Sequence, residues 1–171
     1  FLKLKKGEKM SKVGIIFGSN KGDASKVAEY LASKIQADVI DAKGLESAFL
    51  SEHEKLIFVA STHKVGELQN DFKQKLDLLK ECDFSGKTLA LVGLGGLEKH
   101  SGEFCDGLVE FLPLIRGAKL VGAYAECDYN YKRSLAFING KFIGLVLDIN
   151  TDEAWQKRTD KWFDGIKAEF N

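Results

Sequence analysis

The sequence predicts a three-layer α/β domain, a five-stranded parallel sheet with helices on both faces. Short continuous apolar runs alternate along the chain with segments of helical period. No internal repeat or linker divides the 171 residues, a length that suits one domain. With 44% hydrophobic residues the chain can bury a full core, and 29% charged residues without low-complexity tracts set it apart from disordered sequences.

The elements follow in order. Val13–Phe17 (VGIIF) is an unbroken, largely β-branched run, as expected of a strand buried on both faces. Ala24, Val27, Ala28, Leu31, Ala32 and Ile35 keep helical spacing and form one apolar face. Asp38–Asp41 is a short second strand, and a weaker helical piece lies near Leu45–Leu50. Lys55–Ala60 is the third strand, and Phe72, Leu76 and Leu79 mark the next helix. Thr88–Gly93 is the fourth strand. Phe104, Leu108, Phe111, Leu112 and Ile115 form another helical stripe, with the single proline, Pro113, near its end. Lys119–Ala123 begins a fifth strand. Residues 125–142 then break the rhythm between two strand-like pieces, Leu120–Ala123 and Ile143–Leu147. They read as an insertion that splits the last strand, with Asn139-Gly140 as a tight turn. Trp155, Trp162, Phe163, Ile166 and Phe170 give a C-terminal helix its apolar face.

The formal net charge is zero, which points neither to nucleic acid nor to a membrane surface. The first ten residues carry four Lys and one Glu, leaving −3 on the rest. Residues 1–10 read as an N-terminal extension or an expression remnant, with the domain over 11–171. No stretch approaches the ~18 apolar residues of a membrane span. Cys82, Cys105 and Cys127 are odd in number and match neither a zinc site nor a CxxC pair. They read as reduced thiols of a cytoplasmic protein.

In an open α/β sheet, ligands bind beyond the carboxyl ends of the strands, where strand order reverses. Three segments should therefore carry chemistry: 18–25, 61–69 and 94–104. The first runs Gly18-Ser-Asn-Lys-Gly-Asp-Ala-Ser25 between a buried strand and a helix. Such a loop offers backbone N–H groups and the positive end of a helix dipole to an anion. It also reads as a plain strand-to-helix turn with Asp23 or Ser25 as cap. It is neither a Walker A sequence nor a GxGxxG fingerprint. The other two segments are polar, glycine-containing loops with one histidine each, His63 and His100, facing a common crevice. No nucleophile–base triad and no closed metal site can be read. The residues describe a binding pocket, not a hydrolytic enzyme.

At these residues the chain resembles a long-chain flavodoxin, over about Ser11–Phe170. Val13–Ser19 matches the family's first strand and its entry to the phosphate loop. Gly66–Gln69 with Asp71 matches the end of the first flavin loop, and Gly93–Gly95 and Glu103–Asp106 bracket the second. Asn139–Asp148 matches the piece that follows the long-chain insertion. The resemblance implies a flavodoxin-like fold with strand order 2-1-3-4-5, for which flavodoxins are themselves a type example. It implies noncovalent FMN and the shuttling of one or two electrons between a reductase and an acceptor protein, by a monomer. The residues it assigns to the cofactor are Ser19, Asn20, Lys21, Gly22, Asp23 and Ala24; Ser61, Thr62, His63, Lys64 and Gly66; and Leu94, Gly95, Gly96, His100, Phe104 and Tyr129.

The loops depart from the family pattern Ser/Thr-x-Thr-Gly-Asn-Thr. Lys21 replaces a Thr, Asp23 an Asn, and Ala24 a second Thr. His63 stands where the family carries Trp or Tyr, and His100 where it carries a stacking Tyr. Imidazole is flat and can stack, though it buries less area than the larger rings, and it titrates in the physiological range. The same residues leave two alternatives open. One is a binding or regulatory module that has lost FMN. The other is a site for another flat cofactor, such as haem held through His63 and His100.

Overall fold

The computed structural model describes residues 13–19, 21–63 and 66–171, apart from the side chain of His63. The N-terminal segment 1–10 and the site candidates Asn20 and Lys64 lie outside the described residues.

Strand β1 (Val13–Gly18) pairs in parallel with β2 (Ala37–Asp41) on one side and β3 (Lys55–His63) on the other. β3 pairs in parallel with β5 (Thr88–Leu94). A two-residue strand, β4 (Glu67–Leu68), folds back antiparallel on the end of β3. The sheet order is β2-β1-β3-β5-β6, with β6 formed by Lys119–Val121. With β4 set aside, this is the expected order 2-1-3-4-5. The central strands are buried almost throughout, while the edge strand β2 alternates buried and half-buried residues. Continuous apolar runs therefore read correctly as two-sided burial.

Helix α1 (Asp23–Lys34) buries Ala24, Val27, Ala28 and Leu31 against β1, β2 and β3. Helix α2 (Ser47–Glu52) buries Phe49 and Leu50. His53, just after it, is buried, with one ring nitrogen 2.6 Å from the Phe49 carbonyl oxygen and the other 2.7 Å from an Asp38 carboxylate oxygen. The imidazole is thus held between a backbone carbonyl and a carboxylate. It pins β2 to the segment before β3 and takes no part in a pocket.

Two helical expectations differ in detail. The helix expected at Phe72–Leu79 is two pieces, α3 (Asn70–Lys73) and α4 (Leu76–Glu81). They part where the Lys75 amide bonds the Phe72 carbonyl, an i−3 bond that tightens the turn. The stripe Phe104–Ile115 forms no long α-helix. A short α5 (Leu97–His100) leads into 3₁₀ turns at Ser101–Glu103 and Asp106–Phe111, separated by Cys105 at φ 56°. Gly102, Gly107 and Pro113 all weaken an α-helix here. A Cβ on Gly107 would lie 2.9 Å from the Leu68 Cα, so the segment is drawn tight onto β4. The apolar stripe survives, because Phe104, Leu108, Phe111 and Ile115 are all buried.

The last strand is split as the sequence predicts. β6 (Lys119–Val121) pairs with Thr88–Ala90, and β9 (Leu145–Leu147) pairs with Val92–Leu94. Between them the chain leaves the sheet and forms a hairpin of β7 (Phe137–Ile138) and β8 (Lys141–Phe142). Its turn is Asn139-Gly140, with φ 54° and 80°. Positive φ at both positions is what a tight two-residue hairpin needs, and Asn-Gly supplies it at least strain. The insertion is braced from the C-terminal helix α6 (Trp155–Asp164). Arg158 there bonds Asp152 (Nε–Oδ2 2.9 Å), Asp128 (2.8 Å) and the Tyr124 hydroxyl (3.0 Å), and lies 4.3 Å over the Tyr129 ring. The Tyr129 hydroxyl donates to Asp152 at 2.5 Å.

Gly144 enters β9 with its Cα against β5; a Cβ there would fall 2.1 Å from the Leu91 carbonyl oxygen. Gly144→Ala is expected to cost about 2–4 kcal/mol, above the usual overpacking penalty because the obstacle is backbone. Urea denaturation of the variant and parent measures it. Burial alone would raise the Asp152 carboxyl, but hydrogen bonds from Tyr129 and Arg158 outweigh it and hold the group below its ordinary value of 3.8. A depressed carboxylate contributes stability that is complete above the unfolded value and is lost as pH falls through the folded one. Asp152→Asn should therefore lower stability by about 1–3 kcal/mol at pH 7. The deficit should narrow below about pH 4; pH-dependent thermal unfolding reads both.

Candidate functional site

A cleft of about 680 Å³ opens beyond the carboxyl ends of β1, β3, β5 and β9. It stands where strand order reverses between β1 and β3, the position expected for a ligand in such a sheet. Its size falls in the ordinary range for small-molecule sites.

The first wall is the loop from β1 to α1. The Ser19 hydroxyl accepts from the Gly22 amide at 2.7 Å, and the Ser25 hydroxyl donates to the Gly22 carbonyl at 3.0 Å. Gly22 is the N-cap at φ 88° and provides no side-chain cap. Neither Asp23 nor Ser25 caps the helix, so the plain-turn reading fails on that point. The first-turn amides of Asp23, Ala24 and Ser25 have no intrahelical acceptor. They stand at the positive end of α1, beside the exposed Lys21, and Lys21 and Asp23 line the cleft.

The second wall is the end of β3, with Ser61 and Thr62 on the cleft. The Ser61 carbonyl accepts from the Gln69 amide (3.0 Å) and the Thr62 hydroxyl from the Gly107 amide (3.1 Å). The first bond closes the second loop on itself, and the second ties it to the segment that follows the third loop. Gly66 (φ 75°) turns the chain between β3 and β4 and packs toward Asp106, away from the cleft.

The third wall runs Leu94, Gly95, Gly96, Glu98, Lys99 and His100. Gly95 and Gly96 present backbone rather than side chain to the space, so a flat group can approach closely. His100 is exposed on the rim. Behind this wall a Cβ on Gly95 would lie 2.9 Å from the Phe104 ring and 3.1 Å from the Cys105 sulfur. Burial pushes the Cys105 thiol well above its ordinary range, so it is an inert packing group.

The fourth wall was not among the segments singled out from the sequence. Leu147, Asp148, Ile149, Asn150 and Thr151 follow β9 and close the cleft. Asp148 is buried at its base. Its carboxylate accepts from the amides of Leu97 (3.0 Å), Asn150 (3.1 Å) and Thr151 (3.3 Å) and from the Thr151 hydroxyl (2.7 Å). Asn150 Nδ2 donates to the Asp23 carboxylate at 3.0 Å and joins the fourth wall to the first. The signal was Asp-x-Asn-Thr after an apolar run, a side-chain-closed turn.

Among the described residues, six of those expected at the cofactor do not line the cleft: Ser19, Gly22 and Gly66, placed above, and Ala24, Phe104 and Tyr129. The Ala24 side chain is buried in the core, leaving only its amide at the loop. Phe104 is fully buried among Tyr129, Tyr131 and Phe142, because it anchors the insertion. Tyr129 is held under Arg158 with its hydroxyl on Asp152. Burial, then the Asp152 bond, raises that phenol far above its ordinary range.

The model of the flavodoxin family matches residues 15–135. The chain is 35% identical to a flavodoxin of Helicobacter pylori, over 94% of this chain and 99% of that one. It is 36% identical to flavodoxin 1 of Azotobacter vinelandii, over 94% and 98%. The chain belongs to the flavodoxin family. Among solved structures it is similar to Fusobacterium nucleatum flavodoxin bound to flavin mononucleotide, with TM-score 0.85 and 30% identity over 93% of this chain and 98% of that one. Within this flavodoxin frame, the fourth wall follows from the split strand, since β9 ends where Asp148 begins.

Asp148→Ala should leave the Leu97 amide without its acceptor and expose the turn at Asn150–Thr151. The expected loss is about 2 kcal/mol, since part of the turn can be resolvated. Hydrogen exchange at Leu97, Asn150 and Thr151 should quicken with little change in β1 and β3.

Proposed function

We propose that this chain holds FMN in the cleft and carries electrons between a reductase and an acceptor protein. The observation behind this reading is the pairing of two features in one cleft. Free helix-start amides with Lys21 lie at one end, and the side-chain-free wall of Gly95 and Gly96 at the other. The first suits a phosphate dianion. The second suits a flat ring system, with Leu94, Leu147 and Ile149 adding apolar contact and His100 a rim. Bound FMN supplies one- or two-electron redox chemistry. The chain's own residues bind it, orient it and limit water at the ring. The solved Fusobacterium nucleatum relative, crystallised with flavin mononucleotide, supports the reading.

The Asp23 carboxylate stands near the expected phosphate, but Asn150 donates to it and Lys21 lies two residues away. The loop therefore relies on backbone amides and one lysine where the family uses hydroxyls. Among the described side chains, His100 is the one imidazole on the cleft, so no specific observation favours haem. We read residues 11–171 as the functional unit, a monomer with reduced thiols in the cytoplasm.

The test is a fluorescence titration with FMN and with riboflavin, which lacks the phosphate. The parent should quench FMN stoichiometrically and bind riboflavin more weakly. Lys21→Glu should weaken FMN several-fold, on the order of 1 kcal/mol for an exposed charge, and leave riboflavin unchanged. Absence of FMN quenching by the parent would overturn the reading.

A further inference from the structure

Among the described residues, three of the four exposed large apolar side chains are gathered on the insertion, the fourth being Leu120 on β6. Leu135, Phe137 and Ile138 are 55%, 43% and 41% exposed. Ala136 between them is buried, so the three are held on a fixed backbone. Phe137 is not loose: its ring packs 5.2 Å from Phe142 and 6.4 Å from Tyr131. An aromatic side chain that is exposed yet already immobilised loses little entropy when a partner covers it, the usual character of an interface anchor.

The surround is cationic. Lys132, Arg133 and Lys141 are exposed on the same segment, and residues 131–142 contain no acidic residue. None of the three forms an ion pair among the described residues. The face therefore combines an apolar centre with three cations on the same segment, of which Arg133 alone is shown to feel a nearby carboxylate, that of Asp106.

It is also fastened to the cofactor cleft. The amides of Lys132 and Arg133 donate to the Ser101 carbonyl at 2.9 and 3.0 Å, one residue beyond His100. The Phe104 amide donates to the Arg133 carbonyl (3.1 Å), the Ser134 hydroxyl to the Phe104 carbonyl, and the Leu135 amide to Asp106 (2.7 Å). Phe104 in turn backs Gly95 in the cleft wall and stacks on Tyr131 at 5.8 Å. A body seated on the hairpin thus sits beside the cleft and against its supporting loop.

We propose that this face of the insertion is the docking surface for a redox partner whose contact face is acidic around an apolar centre. Charge complementarity selects the occupant. A second copy would meet it isologously, setting like charges against like. A membrane would cover the hairpin without providing a redox centre at the cleft. The proposal rests on the electron-carrier reading, so docking is also measured without the cofactor.

The probes are cytochrome b5, an acidic haem protein, and cytochrome c, a basic one. Binding of each is titrated with FMN-loaded and FMN-free chain at low and moderate salt. Electron transfer from the reduced loaded chain is followed by stopped flow. The expected result is cytochrome b5 binding with both forms, weakening about tenfold as salt rises, and little cytochrome c binding. Lys132→Glu/Arg133→Glu, and independently Lys141→Glu, should weaken cytochrome b5 binding about tenfold and slow transfer to it. Leu135→Ser/Ile138→Ser, which spares the ring cluster, should weaken binding several-fold at every salt concentration. Failure of FMN to bind would remove the transfer signal but leave the docking titration intact. The proposal is overturned by cytochrome c binding more tightly, by variants that bind cytochrome b5 as the parent does, or by patch-dependent dimers. It is equally overturned by patch-dependent binding to phosphatidylglycerol vesicles without cytochrome b5 binding.

Discussion

One edge of β5 must be satisfied by two separate pieces of chain, and the rest of the molecule is arranged around that division. β6 serves Thr88–Ala90 and β9 serves Val92–Leu94. Unpaired backbone in a buried strand is costly, so both pieces must find register despite the intervening excursion. The close approach comes between the two ladders, where Gly144 meets the Leu91 carbonyl with no room for a side chain. Only with β9 in place does Asp148 reach the base of the cleft and tie Leu97 to the turn at Asn150–Thr151. The third and fourth walls of the site are thus consequences of a backbone pairing, not of local loop preference.

The same division explains what could be read from the sequence. Strands buried on both faces leave continuous apolar runs, so β1, β3 and β5 were legible, and with them the three-layer class and the positions of three loops. Asn139-Gly140 carried its turn geometry in its own residue types. The fourth wall was less legible because Leu145–Leu147 is only three residues long and its following turn owes its function to a strand pairing. Phe104 and Tyr129 lie off the cleft for a related reason. An aromatic near a flavin loop reads as a ring cover, yet these two rings close the space under the insertion. Period alone also could not separate a 3₁₀ path from an α-helix over 101–111, because both bury Phe104, Leu108 and Phe111. The deciding contact, Gly107 against the Leu68 backbone, is long-range.

The loop at the start of α1 shows how much of an anion site can be carried by backbone. Two hydroxyls of the family pattern are absent, but Ser19 and Ser25 both bond to Gly22 and fix the turn that aims the free amides. The conformation is therefore set by residues that need not touch the ligand. Asp23 would be a poor neighbour for a phosphate if its carboxylate were free to swing. Instead Asn150 holds it, which links the charge balance of the first wall to the placement of the fourth.

The insertion thereby acts on both sides of itself. Inward, it supports the His100–Asp106 segment through five hydrogen bonds and the stacked Phe104 ring. Outward, it leaves Leu135, Phe137 and Ile138 uncovered beside three cations. A hairpin needed only for support would gain nothing from exposing Leu135 and Ile138, because the inward contacts are made by backbone groups, the Ser134 hydroxyl and the rings of Tyr131, Phe137 and Phe142. The cost of the exposed apolar face is offset only if something covers it. On the docking reading, its positive charge selects an acidic surface for that role.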